Sequence, residues 1–271
     1  MRTNLNAPLP AALVALALAA WAAHPARADV ERFAYTYGWS TSSKGEAELE
    51  VRHTQPATGH RWQDAYALEY GVTDRYMIEP YIIVNHSGGF RDVPTSGGVD
   101  ADGDAVGGGG DGSEVWDPIH NGSAYRYGGF QLEQRYRFGD YGYNKLLASA
   151  YVEYENLRDA NQQIESKAIL QFDPKPEITT ALNIIGSTPI SPGGGTSWGY
   201  SFGAAYLPDF KHNRYWVGGE AFGNFTTKVH YAGPTLGFSI DQKTRLVGTY
   251  GKQIKGSGGD QFRIQINHEF N

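Results

Sequence analysis

Apolar and polar side chains alternate one by one along most of this sequence, and that period of two constrains the fold more than any other feature. Near the C-terminus, Phe262, Ile264 and Ile266 alternate with polar neighbours. Successive side chains of a strand point to opposite faces of its sheet, so such a segment forms a strand with one apolar face and one polar face. The alternation predicts twelve strands, at about 45–54, 61–71, 75–86, 124–138, 145–156, 162–172, 176–187, 197–207, 214–225, 231–240, 243–254 and 260–270.

Strand length separates two folds that share this alternation, a soluble sandwich with its apolar face inward and a membrane barrel with its apolar face outward. The predicted strands hold about 10–13 residues, whereas strands of soluble proteins usually hold about five or six. Aromatic residues also cluster at predicted strand ends, as interfacial girdles do. The sequence therefore predicts an all-β fold, a transmembrane antiparallel β-barrel of 12 strands. The candidate girdle residues are Tyr125, Tyr127, Phe138, Tyr215 and Trp216.

The N-terminus indicates export from the cytoplasm. Arg2 precedes an apolar run from Ala11 to Ala23, and Ala26 and Ala28 form a small-x-small cleavage pattern. This order is typical of a secretory signal peptide, and the run is shorter than the roughly 20 residues of a spanning helix. We expect a signal peptide at 1–28, a periplasmic or lumenal lead-in at 29–44 and the barrel at 45–271.

Composition excludes several chemistries. The chain has no cysteine, which excludes disulfides, thiol nucleophiles and Cys-ligated metals. Its net charge of −6 argues against a nucleic-acid partner.

The string Gly199–Gly203 matches the G-x-S-x-G nucleophile elbow around Ser201. That elbow requires a strand-to-helix turn, whereas these residues lie inside an alternating strand. The sequence therefore predicts a protein that is not an enzyme and needs no cofactor.

Two short motifs carry a family resemblance. Ser43–Glu50 (SKGEAELE) resembles the opening "lpKGxxElE" of an uncharacterised family of proteobacterial outer-membrane barrels. Leu68–Arg75 (LEYGVTDR) resembles the second strand and turn of that family, "lEyGvTDr", and is distantly similar to outer-membrane transporters of phenol meta-cleavage pathways. The resemblance covers about residues 31–85. It implies a barrel in the outer membrane of a Gram-negative bacterium, with the lipid bilayer and the outer-membrane assembly machinery as partners.

The polar faces of the predicted strands carry more acids than bases. Charged residues that line a lumen concentrate counter-ions, so this surplus predicts a porin-like channel with a weak preference for cations among small solutes. The alternatives are a non-conducting structural or receptor barrel, whose charges form an ion-pair network in a closed interior, and an outer-membrane enzyme. The predicted lumen-lining residues are Glu46, Glu48, Glu50, Arg52, Glu69, Glu79, Glu133, Arg135, Arg137, Glu153, Glu155, Arg245 and Arg263.

One long segment, 87–123, is rich in glycine and aspartate and fits neither strand nor helix. It follows the third predicted strand, so alternation from the turn at Thr73 and Asp74 places it outside the cell. Its aspartates have the spacing of a calcium-binding loop, although Ala105 replaces the usual glycine of such loops. The segment is either a calcium site or a solvated loop. The candidate ligands are Asp100, Asp102, Asp104 and Asp111.

Overall fold

Twelve antiparallel strands form one closed barrel. A computed structural model describes residues 31–56, 61–87, 124–158, 160–208 and 214–270 of the chain. No helix long and apolar enough to cross a membrane occurs in these ranges. The prediction of an all-β, twelve-stranded barrel is confirmed. The strands are β1 (Ala47–Pro56), β2 (Arg61–Thr73), β3 (Tyr76–Ser87), β4 (Ala124–Phe138), β5 (Leu146–Leu157), β6 (Gln163–Lys175), β7 (Ile178–Pro189), β8 (Ser197–Tyr206), β9 (Tyr215–Asn224), β10 (Val229–Ser239), β11 (Thr244–Lys255) and β12 (Gln261–Phe270).

Each strand pairs with its neighbours in sequence, and the first strand pairs with the last. The β1–β12 ladder runs from Ala47 opposite Phe270 to Pro56 opposite Gln261, so both strands are paired along their whole length. A closed barrel has no open edge, so each strand can hydrogen-bond to a neighbour on both sides. This closure is what lets strands span a hydrocarbon layer that offers no hydrogen bonds.

The two ends of the barrel differ. One end carries the connections β2–β3, β4–β5, β6–β7, β8–β9 and β10–β11, together with the start of β1 and the end of β12; we call it the turn end. The opposite end carries the end of β3 and the start of β4, between which the Gly/Asp-rich segment falls in the sequence, and we call it the loop end. Outer-membrane barrels place short turns in the periplasm and longer loops outside the cell.

The two faces of the wall are as different as the sequence predicts. Outward side chains are apolar and exposed, such as Leu236 at 61% and Ile254 at 63%, whereas inward Glu133 and Glu165 are fully buried. Trp216 corrects one expectation, because it is not part of the outer aromatic girdle but lies inside, only 1% exposed. Adjacent strand residues face opposite sides, so Tyr215 and Trp216 cannot both face outward.

Candidate functional site

The interior of the barrel contains the N-terminal part of the chain. Residues 31–43, which we call the lumenal segment, run inside the barrel, and the side chains of Phe33, Tyr35 and Trp39 are buried there. The segment joins β1 at the turn end, where the Lys44 N–H donates to Asp74 Oδ1 at 3.2 Å. A polar interior can satisfy the backbone of such a segment, which has no strand partner of its own.

The lumenal segment enters the barrel from the turn end and turns back toward that end inside it. Trp39 Nε1 donates to the carbonyl of Phe138, the last residue of β4. Farther in, the Tyr35 ring stacks on Phe222, with ring centroids 3.9 Å apart. The chain then returns, since the carbonyl of Arg32 accepts a 2.8 Å hydrogen bond from Trp216 Nε1, at the turn end of β9. The deepest part of the loop is therefore near Tyr35.

Side chains of the barrel wall bind the backbone of the lumenal segment. Buried N–H groups must be hydrogen-bonded, and here carboxylates and amides take the place of a neighbouring strand. Carboxylate acceptors make the stronger type of hydrogen bond. The backbone N–H donors and their acceptors are Ala34 and Tyr35 with Glu220 (2.9 and 2.8 Å), Tyr37 with Asn183 (2.8 Å), Trp39 with Gln171 (2.9 Å), Ser42 with Glu69 (3.0 Å) and Ser43 with Glu46 (2.7 Å).

The carbonyl groups of the same segment are also bound by the wall. Asn183 Nδ2 donates to the carbonyl of Tyr37 at 3.0 Å, so this single amide both accepts from and donates to one residue, as a strand neighbour would. Two arginines act similarly at other points of the loop. Arg263 donates to the carbonyl of Ala34 at 2.9 Å, and Arg135 donates to the carbonyl of Ser40 at 3.1 Å.

Small and aromatic residues shape the space around the segment. A Cβ atom on Gly203 of β8 would lie 2.6 Å from the Phe33 ring, so only glycine leaves room for that ring. The Arg263 guanidinium lies 4.0 Å from the centre of the Tyr35 ring, a cation–π distance. Lys167 lies 4.0 Å from the centre of the Tyr37 ring. Cationic wall residues therefore hold the tyrosines of the segment as well as its backbone.

The two motifs that carry the family resemblance meet where the segment enters the barrel. The Gly45 N–H donates to the Gly71 carbonyl at 2.8 Å, and the Gly71 N–H donates to the Glu46 carbonyl at 3.0 Å. A Cβ atom on Gly71 would lie 1.9 Å from the carbonyl oxygen of Ser43, so no other residue fits there. The motifs thus form one structural junction that fixes the direction of the lumenal segment.

Most of the predicted lumen-lining residues have buried side chains on the inner face. Glu69 and Arg137 are half-buried near the turn end, where Arg137 donates to the Asp74 carbonyl at 2.6 Å. Ser201 is buried too, and its hydroxyl donates to Asn183 Oδ1 at 2.8 Å. Two other predictions fall outside the described residues. They are the signal peptide at 1–28 and the candidate calcium ligands Asp100, Asp102, Asp104 and Asp111. The buried members of the set are Glu46, Glu48, Glu50, Arg52, Glu79, Glu133, Arg135, Glu153, Glu155, Arg245 and Arg263.

Several lumenal bases pair with an acid two positions before them on the same strand. These pairs share a face because side chains alternate with a period of two. In the described part of the chain, eleven acidic side chains but only five Lys or Arg side chains are buried, so acidic groups outnumber basic ones inside. The pairs are Arg52 with Glu50, Arg135 with Glu133 and Lys167 with Glu165, each 2.7 Å apart.

Charge counting missed the neutral residues that hold the lumenal segment. Asn183 and Gln171 occupy polar-face positions of their strands, and this position was the sequence signal that they face the lumen. An uncharged amide, however, does not indicate what it binds.

Beside the segment, a cavity of about 10 Å³ lies next to Glu50, Arg52 and Gln265. This volume has room for about one water molecule. The lumenal segment therefore packs closely against this part of the wall.

Comparison with solved structures finds barrels of the same architecture. No protein-family model matches the sequence, and no curated protein sequence matches it. The KdgM porin, solved in complex with disordered oligogalacturonate, superposes with a TM-score of 0.55 at 9% identity, over 83% of this chain and 99% of that one. The COG4313 outer membrane channel from Pseudomonas putida F1 gives 0.54 at 12% identity, over 89% and 100%. The NanC porin gives 0.52 at 7% identity, over 82% and 99%. The fold is that of outer-membrane barrel channels.

Proposed function

We propose that the mature chain is an outer-membrane channel through which small solutes diffuse, and that the lumenal segment holds it closed in the state described. The observation that carries the proposal is the contrast between the two faces of the wall, with an apolar outer surface and an inner surface rich in carboxylates, guanidinium groups and amides. The porins and the channel with the same fold support it. Twelve strands lie between barrels of about eight strands, which side chains fill, and barrels of 16–18 strands, which leave an aqueous passage.

The competing function is a non-conducting barrel that acts as a structural protein or as a receptor through the 87–123 segment. A permanently filled interior has no need of surplus charge, because apolar residues of similar volume fill a core at least as stably as buried ion pairs. This interior keeps a surplus of acids and is filled by a segment attached mainly through hydrogen bonds. Those two features favour a lumen that water and solutes enter.

The predicted signal peptide, the outward apolar surface and the junction of the two motifs support a location in the outer membrane of a Gram-negative bacterium. Membership of the barrel family suggested by Ser43–Glu50 and Leu68–Arg75 belongs to the same proposal, as does insertion by the outer-membrane assembly machinery. Calcium binding by the 87–123 segment stays a prediction. Recovery of the protein as a soluble periplasmic species, without heat-modifiable gel mobility, would contradict the location.

Proteoliposome swelling tests the transport function directly. We expect liposomes that contain the refolded mature protein to swell in isotonic solutions of small polar solutes faster than protein-free liposomes do, and the rate to fall as solute size increases. If the wild type and Glu220→Gln, which removes a hydrogen bond that holds the lumenal segment, are both folded by gel mobility but give no swelling with any solute, the structural or receptor function would replace the channel.

A further inference from the structure

Six glutamates cross the inner wall in two ladder-paired groups, and the β2–β3 pairs Ala67–Tyr81 and Tyr70–Ile78 bracket the step between them. Strands β1 to β6 each contribute one, and the ladders place Glu48 opposite Glu69, Glu79 opposite Glu133, Glu133 opposite Glu153, and Glu153 opposite Glu165. Glu48 is the second residue of β1 at the turn end, and Glu165 is the third residue of β6 at the loop end. This acidic track, Glu48, Glu69, Glu79, Glu133, Glu153 and Glu165, therefore crosses the barrel from one end to the other.

Carboxylates in such a row repel one another. Residues directly opposite across an antiparallel pair have Cβ atoms about 4.5–5.5 Å apart, and like charges at that distance destabilise a sheet. Buried charges also need compensation, from a partner or from a bound ion. Arg135 compensates Glu133, and Lys167 compensates Glu165. Within the described residues, the acids inside the barrel still outnumber the bases, so compensation by the wall alone is incomplete.

Glu79 is the member of the track with the least compensation. Its side chain is only 1% exposed, and its Oε1 atom accepts no hydrogen bond within the described part of the chain. The charged groups that act on it most strongly are three acids, Glu50, Glu133 and Glu69, followed by the attraction of Arg52. A buried carboxylate oxygen with no donor, surrounded mainly by other carboxylates, is suited to receive a positively charged group.

The available space limits the kind of cation. Among the described residues, no three acidic or histidine side chains converge as the ligand set of a metal ion. A metal stripped of its water is therefore a poor fit. A cavity of about 10 Å³, with room for about one water molecule, is lined by Glu50 and Arg52, two of the charged groups that act on Glu79. Carboxylates that do not converge can still accept hydrogen bonds from the water around an ion or from an ammonium group.

We propose that the acidic track binds small cations, with Glu79 as its principal subsite, and that the bound group is a hydrated inorganic cation or the ammonium group of an organic one. The shared chemistry is a positive charge that donates hydrogen bonds. The inference rests on the proposed channel for its role in transport, where the track guides cations from end to end. Binding itself is measurable without any conduction.

Thermal unfolding of the refolded mature protein tests the binding. The melting temperature is measured at constant ionic strength in choline chloride, whose quaternary ammonium donates no hydrogen bond, and then in magnesium chloride or putrescine dihydrochloride. We expect both salts to raise the wild-type melting temperature in a saturable way, by roughly 3 °C at about ten times the dissociation constant. A rise with magnesium alone would assign the site to inorganic cations, and a rise with putrescine alone would assign it to organic ones.

Two variants make the test specific. Glu79→Gln should remove the cation-dependent rise and, because it relieves repulsion, should melt no lower than the wild type in choline chloride. Glu155→Gln is the matched control, since Glu155 is equally buried and faces the same lumen, but its ladder neighbours are Gln131 and Gln163. It should keep the rise. No rise in the wild type, or an equal rise in Glu79→Gln, would overturn the proposal. Neither result would bear on swelling assays, so the channel function stands or falls separately.

Discussion

Glu220 offers the sharpest test of how the lumenal segment is held. Its carboxylate is buried and accepts four hydrogen bonds, from the backbone N–H groups of Ala34 and Tyr35 and from the hydroxyls of Thr235 and Thr249. Oε1 accepts three of these bonds, whereas the bond from Tyr35 goes to Oε2. The substitution Glu220→Gln keeps the shape of the side chain but gives one of these two positions an NH₂ group.

The expected size of the effect follows from replacing one carboxylate oxygen of Glu220 by an NH₂ group. With the amide oxygen at the Oε1 position, the new NH₂ group faces the Tyr35 N–H, and two donors cannot bond. A hydrogen bond to a charged group contributes about 1.5–3 kcal/mol, and about 1.4 kcal/mol corresponds to a factor of ten. We therefore expect the population with an undocked segment to rise about 10- to 100-fold, while the β-ladders of the barrel stay intact.

A thiol near the deepest part of the loop reports undocking. The chain has no cysteine, so Thr36→Cys introduces a unique thiol at a position that is only 1% exposed. Its labelling by a small methanethiosulfonate reagent follows the undocked population when docking is faster than reaction. Glu220→Gln in this background should raise the labelling rate about 10- to 100-fold, whereas the control Glu155→Gln should leave it within a factor of a few. Equal rates in all three proteins would refute the assigned role of Glu220.

Three further outcomes are expected. Gly203→Val should push the Phe33 ring out of its place and speed labelling of the same thiol. Ile264→Arg puts a charge on the lipid-facing side of β12 and should cost about 2–4 kcal/mol of unfolding free energy in lipid, with Ile264→Val much milder, as measured by urea titration. In the β10–β11 connection, hydrogen bonds from the N–H groups of residues 243–244 hold the pKa of Asp241 below its usual value. These bonds therefore form at neutral pH and break only as the pH falls through that lowered pKa. The hydrogen-exchange protection of the two amides should fall over the same pH range, and Asp241→Asn should remove this pH dependence.

The alternation of side chains was sufficient to predict the strands and their faces. The segment 124–138 is a strand with the predicted bounds, and 261–270 differs from its prediction by one residue. The reason is physical, because a wall with lipid on one side and a polar interior on the other demands one side-chain type per face along its whole length. The same rule places Glu79, Glu133 and Arg135 inside.

The alternation of side chains could not predict the contacts of the lumenal segment or the arrangement of the acidic track. The segment 31–43 has no alternation of its own to reveal that Asn183 and Gln171 bind its backbone. The opposition of Glu133 to Glu153 depends on the register between β4 and β5, which is fixed by the connection between them and by both faces together. A slip of one residue would send every side chain of the strand to the other face, so register is a property of the closed barrel and not of any single strand.

Single-channel recording in planar bilayers tests the central claim most directly, namely that a channel exists and that the lumenal segment closes it. We expect the wild-type mature protein to open rarely, and Glu220→Gln to show the same unitary conductance with an open probability about 10- to 100-fold higher. The open state should favour cations, and this preference should weaken at high salt, since the Debye length falls from about 10 Å at 0.1 M to about 3 Å at 1 M. Folded barrels of both proteins that never conduct, or an open probability that is equal in the two, would contradict it.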